Sequence, residues 1–152
     1  MKKIILVAAM VLGFAVAAIA QPRAIGLRAG WGAELSYQHD LGGNFIQADL
    51  GLNTFNAINV TAVYNFMIAR PQWTEEGEWG FYAGPGAGVG MSFGTKDSEG
   101  YFHVAVAGMV GLEYTFWFPL QISLDVKPAI GFGIDHGLHW GLMPALGVRY
   151  RF

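Results

Sequence analysis

The chain has 152 residues and no cysteine, and only 13% of it is charged while 53% is hydrophobic, where about 25% charged is usual for soluble domains. So sparse a charge argues against an ordinary soluble enzyme surface, and the lack of cysteine excludes disulfide scaffolds, thiolate metal sites, thiol nucleophiles and an acylated N-terminal cysteine. Glycine, at 22 residues against a usual share of roughly 7%, requires a structural reason.

Residues 1–20 read as a secretory signal peptide. Met1-Lys2-Lys3 is a short basic start, Ile4 to Val16 is apolar, and Ala18-Ile19-Ala20 is a small-x-small site before Gln21-Pro22. The apolar run is too short for a membrane-spanning helix, which needs about 20 residues. Residues 21–152 remain as one expected domain, with seven basic and eleven acidic residues and a formal charge of −4. That sign of charge indicates no nucleic-acid partner.

From Ile25 onward, apolar residues alternate with small or polar ones at the period of a strand, and no helical period is evident. Ile25, Leu27, Ala29, Trp31, Ala33, Leu35 and Tyr37 oppose Gly26, Arg28, Gly30, Gly32, Glu34 and Ser36. Ile46, Ala48, Leu50 and Leu52 then oppose Gln47, Asp49 and Gly51, and Ile58, Val60, Ala62, Tyr64 and Phe66 oppose Asn59, Thr61, Val63 and Asn65. In the glycine-rich stretch, Trp79, Phe81, Ala83, Val89, Met91 and Phe93 face away from Gly80, Tyr82, Gly84, Gly86, Gly88 and Gly90. Three more segments, 102–116, 120–127 and 138–152, behave alike.

A soluble ligand-binding barrel would alternate in the same way, with its apolar side inward. Side-chain bulk separates the two. The apolar face carries Trp, Phe, Tyr and Leu, too much for the interior of a small barrel, whereas the other face is largely Gly, Ala and Ser with a few charges. Large residues toward lipid and small or polar ones toward a narrow lumen explain both the glycine and the low charge, so the expected fold is all-β: a small antiparallel transmembrane up-and-down β-barrel. Single-chain bacterial barrels have an even number of strands, but only seven alternating segments are visible. A cut at Gly30-Trp31-Gly32-Ala33 keeps the phase and gives eight strands, at about 23–30, 33–38, 44–52, 57–68, 79–93, 101–116, 119–132 and 138–152. A competing cut lies inside 79–116. Connections 31–32, 53–56, 94–100 and 133–137 then share one end, and 39–43, 69–78 and 117–118 the other.

The run Gly26-Leu27-Arg28 with SYQHDL (36–41), ADLGL (48–52), VYNF (63–66), WGFYAGPGAGVG (79–90), GLEYTF (111–116), PLQISLDVKP (119–128) and GVRYRF (147–152) resembles the small outer-membrane β-barrel proteins of Bacteroidetes, over essentially all of residues 21–152. The resemblance implies a Gram-negative outer-membrane location among outer-membrane lipid. It also implies insertion by the barrel-assembly machinery reading the C-terminal strand through Tyr150 and Phe152, and no assigned activity. The chain departs from the pattern in its short loops and in Pro85, Pro128 and Pro144 within strands. Each proline removes a ladder hydrogen bond, so a bulge or bend is expected at each.

Eight strands leave an interior that side chains fill, which counts against an open porin. Arg28, Lys127, Arg149 and Arg151 are placed inside with Glu34, Asp49, Glu113 and Asp125, and such charges require pairing. Counting from the turns puts Glu113, Gln121 and Arg149 at one level and Arg28, Glu34 and Asp49 at another. The expected role is a structural polar plug; a network that opens for small solutes is the alternative. His103, His139 and Ser123 also point inward, but no third group or oxyanion site accompanies them. His39, Asp40, Asp135 and His136 fall in turns, where a metal would need ligands from separate loops. The aromatics Trp31, Tyr37, Phe45, Trp79, Phe81, Phe93, Phe102, Phe116, Trp117, Phe118, Phe132, Trp140, Tyr150 and Phe152 lie near strand ends, as interfacial anchors do.

Three roles follow in order of expectation. The first is a non-enzymatic structural barrel or partner anchor without cofactor or metal, its oligomeric state open. A narrow conduit for small solutes is the second and a lipid A-modifying enzyme the third.

Overall fold

The alternation closes on itself. The structure, a computed structural model, describes residues 22–53, 57–94, 99–133 and 137–151, and within them the chain forms eight antiparallel strands and no helix. These are β1 (Pro22–Ala29), β2 (Ala33–Asp40), β3 (Phe45–Asn53), β4 (Ala57–Ala69), β5 (Glu78–Ser92), β6 (Tyr101–Thr115), β7 (Leu120–Gly133) and β8 (Gly137–Arg151). Each pairs with its neighbour in sequence, and β8 returns to β1. The Gly30–Gly32 turn separates β1 from β2, where the alternation alone shows no break, and the β5–β6 hairpin carries no second cut. The end with the 30–32 turn is called upper below. The other, lower end has the turn between β2 and β3, where Asp40 Oδ1 accepts hydrogen bonds from Gly42 and Gly43 N–H. Both glycines have positive φ, 79° and 126°, which a residue with a side chain adopts only under strain.

Strand tilt leaves the upper rim uneven. Following Cα partners from Arg28 through Glu34, Gly51, Asn59, Gly90, His103 and Gly133 leads to Gly137. Yet β8 meets β1 only from Leu146, opposite Ala29, onward. The circuit closes with a stagger of about ten residues, the quantity that fixes tilt and radius in a barrel. The rim therefore climbs from the 30–32 turn to the top of β8 and drops back at the β8–β1 seam. Residues 137–145 of β8 pair with β7 alone.

The prolines do not break their strands, and no register shift, as a bulge would give, falls at them. Pro85 pairs with Gly108, while the ladder to β4 skips from Val63–Gly86 to Phe66–Ala83 without change of register. Pro128 pairs with Leu142, while the ladder to β6 skips from Ala107–Ala129 to Val110–Val126. The Pro144 carbonyl points to the β1 side, where a Cβ on Gly30 would meet it, so its missing N–H falls on the unpaired stretch of β8. The ladder skips two Cα pairs beside Pro85 and two beside Pro128, and Pro144 needs none because no strand lies on that side, as sheets tolerate proline where a ladder bond is absent.

The outward face is apolar throughout: Leu27, Leu35, Phe66, Val106, Leu124, Leu142 and their neighbours are exposed, Trp140 by 81%. An aromatic ladder girdles the lower end, with ring centroids 4.6–5.2 Å apart along Trp73, Trp79, Tyr114, Phe116 and Phe118, and Trp117 against Phe118. Phe45 is a correction to the expected belt. It is fully buried inside the barrel with Val63, Tyr82 and Met109, because it shares the parity of Gln47 and Asp49. Its ring meets Tyr82 edge-on at 5.2 Å. Tyr82 has room because its pair partner is Gly111, whose missing side chain its ring replaces.

Candidate functional site: a polar chain through the lumen

From Arg28 and Lys127 down to Arg23, one connected set of side chains crosses the lumen. Arg28 on β1 is its hub. Its guanidinium bonds to the carboxylates of Glu34 on β2 and Asp125 on β7, and reaches Asp49 on β3 at 3.2 Å. Lys127 Nζ donates to Glu34 Oε1 at 3.3 Å and to Asp49 Oδ2 at 3.2 Å. Tyr82 donates its hydroxyl to Asp125 at 3.2 Å. Arg28, Lys127, Asp49 and Asp125 are all buried, and charges removed from water are tolerated only when partnered in this way.

From Asp49 the contacts descend. Gln47 Nε2 donates to Asp49, Gln38 Nε2 to Gln47 Oε1 at 3.0 Å, and Gln121 Nε2 to Gln38 Oε1 at 3.2 Å and to Glu113. Glu113 is ion-paired with Arg23, whose guanidinium lies 4.0 Å over the Phe45 ring. A charged layer, an amide layer and a second ion pair thus follow one another down the barrel, with Phe45, Tyr82, Val63 and Met109 filling the space beside them.

The residues expected inside are inside, but some of their partners differ. Arg28, Glu34 and Asp49 do meet, although Asp49 lies opposite Ser36 and Glu34 opposite Gly51, one step apart on the sheet. Gln121 reaches Glu113, whose Cα partner is Ser123. Arg149 lies opposite Gln121, at the expected level. It donates to Ser36 at 3.0 Å and Ser123 at 2.7 Å rather than to Glu113. Arg151 is only partly buried and donates to Thr115 at the lower mouth.

Arg23, Gln38 and Tyr82 were missed as partners. Arg23 has the parity of an outward residue, but a register shift between Pro22 and Ala24 turns it into the lumen. Two-residue alternation carries no signal for such a bulge. Gln38 and Tyr82 had the correct parity, and only their reach across the lumen was not legible.

The imidazole and hydroxyl considered for nucleophilic chemistry lie apart. Ser123 accepts from Arg149, whereas His139 pairs with Gly131 near the top of β7 and its ring faces that of His103 at 6.2 Å between centroids. His39 and Asp40 belong to β2 rather than to a turn, with Tyr37 bonded to His39 Nδ1 at 3.2 Å. Asp135, His136, Phe152 and residues 1–20 lie outside the described residues. No group of three or more metal-ligating side chains occurs among the described residues.

Above Arg28 and Lys127 the lumen opens into a cavity of about 230 Å³ walled by Gly88, Ala105, Ala129, Gly141 and the two histidines. A second, of about 110 Å³, enters from the lower mouth between Arg23, Arg70, Arg151, Glu78 and Trp79. The charged and amide layers separate them. Comparison of the chain with known protein families, with characterised proteins and with solved structures returned no match.

Proposed function

We propose that the protein is an integral outer-membrane β-barrel with a plugged lumen, non-enzymatic, serving as a structural membrane component or as the anchor of a partner. The observation that carries this reading is the inversion of polarity: ion pairs are buried along the axis while Trp, Leu, Phe and Val cover the outside. In water that arrangement would expose the apolar surface and bury the charge. In a bilayer both become favourable, and closure of the sheet pairs the backbone from the level of Ala29 and Leu146 downward, as lipid demands. The lower aromatic ladder fits the level of the headgroups. The sequence resemblance to the small barrels of Bacteroidetes agrees with this location and with a cleaved leader at residues 1–20.

The expected result is recovery in the outer-membrane fraction together with slower or faster migration of unheated protein in detergent gels, as an intact barrel gives. Recovery in the soluble fraction overturns the proposal.

A conduit for small solutes is the second reading, favoured by the two cavities that enter from opposite ends. The buried charged and amide layers lie between them, so planar-bilayer recordings of the purified protein should show no steady conductance. Stable unitary steps would favour the conduit instead.

A further inference from the structure

We propose that the lower mouth of the lumen is a binding site for a phosphate group, held between the guanidiniums of Arg23, Arg70 and Arg151. All three line the cavity of about 110 Å³ that enters there. They come from β1, from the residue that follows β4, and from β8. Strands β8 and β1 are neighbours, and β4 lies across the barrel from them.

Two of the three arginines are delivered by departures from register. Among the described strands the register shifts at two places, between Pro22 and Ala24 and between Met67 and Ala69. The first shift turns Arg23 inward. At the second, Met67 pairs with Tyr82 and Ala69 with Phe81, so Ile68 is an extra residue. Strict alternation would leave residue 70 outside with Phe66 and Ile68, whereas the insertion moves it to the inward parity of Gly80. Bulges gather at barrel rims and beside functional sites, where they re-aim a side chain. Here two bulges on separate strands each bring an arginine to the same cavity.

The charge at this end is not balanced from within. Arg23 is buried and ion-paired with Glu113, but its Nη1 has no hydrogen-bond partner. Two residues above Arg151 on the inner face of β8, Arg149 is fully buried and donates only to Ser36 and Ser123. Among the described residues Arg70, Arg149 and Arg151 form no ion pair. The carboxylates at this end are engaged or exposed. Glu113 serves Arg23 and Gln121, Asp40 accepts from the N–H groups of Gly42 and Gly43, and Glu78 is exposed at the rim. Four guanidiniums thus stand against three carboxylates, and an anion in the cavity offsets the excess.

Geometry selects the anion. A carboxylate offers one plane, met edge-on by one guanidinium, whereas a phosphate carries oxygens on every side and close to two charges near neutral pH. The cavity, about 110 Å³ against roughly 30 Å³ for a water-sized group, admits it. Thr115, whose oxygen accepts from Arg151, keeps its own hydroxyl proton to donate. Trp79 lines the cavity and also belongs to the lower aromatic ladder, so both a soluble phosphomonoester and a lipid headgroup have access to this level.

The test is calorimetric titration of the full chain, purified in dodecyl maltoside, with inorganic phosphate. One saturable site is expected, weakened by salt, with acetate bound at least about tenfold more weakly. Arg70→Gln and Arg151→Gln, both at the accessible mouth, should each lower phosphate affinity about tenfold through loss of a charge-assisted hydrogen bond. Glu78→Gln should raise the affinity, and Gly141→Ala in the upper cavity should leave it unchanged. Heat-modifiable migration checks that each variant remains a closed barrel. Competition by glycerol 3-phosphate alone assigns the site to a soluble monoester, competition by phosphatidate in mixed micelles assigns it to a headgroup, and either agrees with the proposal. Absence of saturable binding, equal binding of acetate, or unchanged affinity in both arginine variants overturns it. None of these results touches the membrane reading, which recovery in the soluble fraction would overturn while leaving this site standing.

Discussion

The plug and the upper cavity are lined by the same sheet, yet one is filled and the other is not. Below Arg28 the large side chains Phe45, Tyr82, Gln38 and Gln121 are fully buried, and glycine serves them by giving way, as Gly111 does for Tyr82. Above Lys127 Gly90 and Gly131 likewise give way to the rings of His103 and His139, but Gly141 has nothing within reach of an added Cβ, and space remains. The difference teaches that glycine content alone does not indicate whether a lumen is full. What decides is whether enough large side chains, such as Phe45, Tyr82, Gln38 and Gln121, occupy the same level.

The largest effect should come from breaking the hub of the plug. Arg28→Met leaves Asp125 without its ion pair and Asp49 and Glu34 with Lys127 alone, a loss of about 3–5 kcal/mol for a buried charge deprived of its partner. Urea unfolding in detergent micelles, followed by the loss of heat-modifiable migration, measures it. A change below 1 kcal/mol would mean that water reaches the carboxylates and that the plug is not dry. Phe45→Ala comes next, at about 3 kcal/mol for an aromatic removed from a packed cluster, and it also strips the Arg23 guanidinium of its ring.

Two glycine substitutions then set the halves side by side. Gly111→Ala places a methyl group in the Tyr82 ring and should cost about 1–3 kcal/mol through overpacking. Gly141→Ala, at the upper cavity, meets nothing and should alter stability by less than about 0.5 kcal/mol. Equal melting behaviour of the two variants would remove the distinction between a packed and an open half.

Much of this architecture was legible because it is local. Seven stretches of alternation gave seven strand segments, the pair Gly30 and Gly32 marked the hidden turn, and the observed strand limits lie within two residues of those expected. Parity also placed Arg28, Asp49, Glu113 and Lys127 in the lumen. It failed where the chain departs from strict alternation, at the bulge that turns Arg23 inward. Phe45 was misassigned for a different reason, since nearness to a strand end was weighted above its own parity. The prolines imply disruption because a missing rung is visible in sequence, whereas the neighbouring ladders that keep the strand in register are not.

The sequence by itself determined that the chain forms strands, how many they are, and which face of each is apolar, because side-chain period and bulk are properties of adjacent residues. Only the tertiary structure decided which charges pair across the lumen and where the β8–β1 pairing stops. Both depend on the stagger with which β8 meets β1, a relation between opposite ends of the chain. Closing that circuit sets Arg28 against Asp125, and leaves the upper edge of β8 without a neighbouring strand on its β1 side.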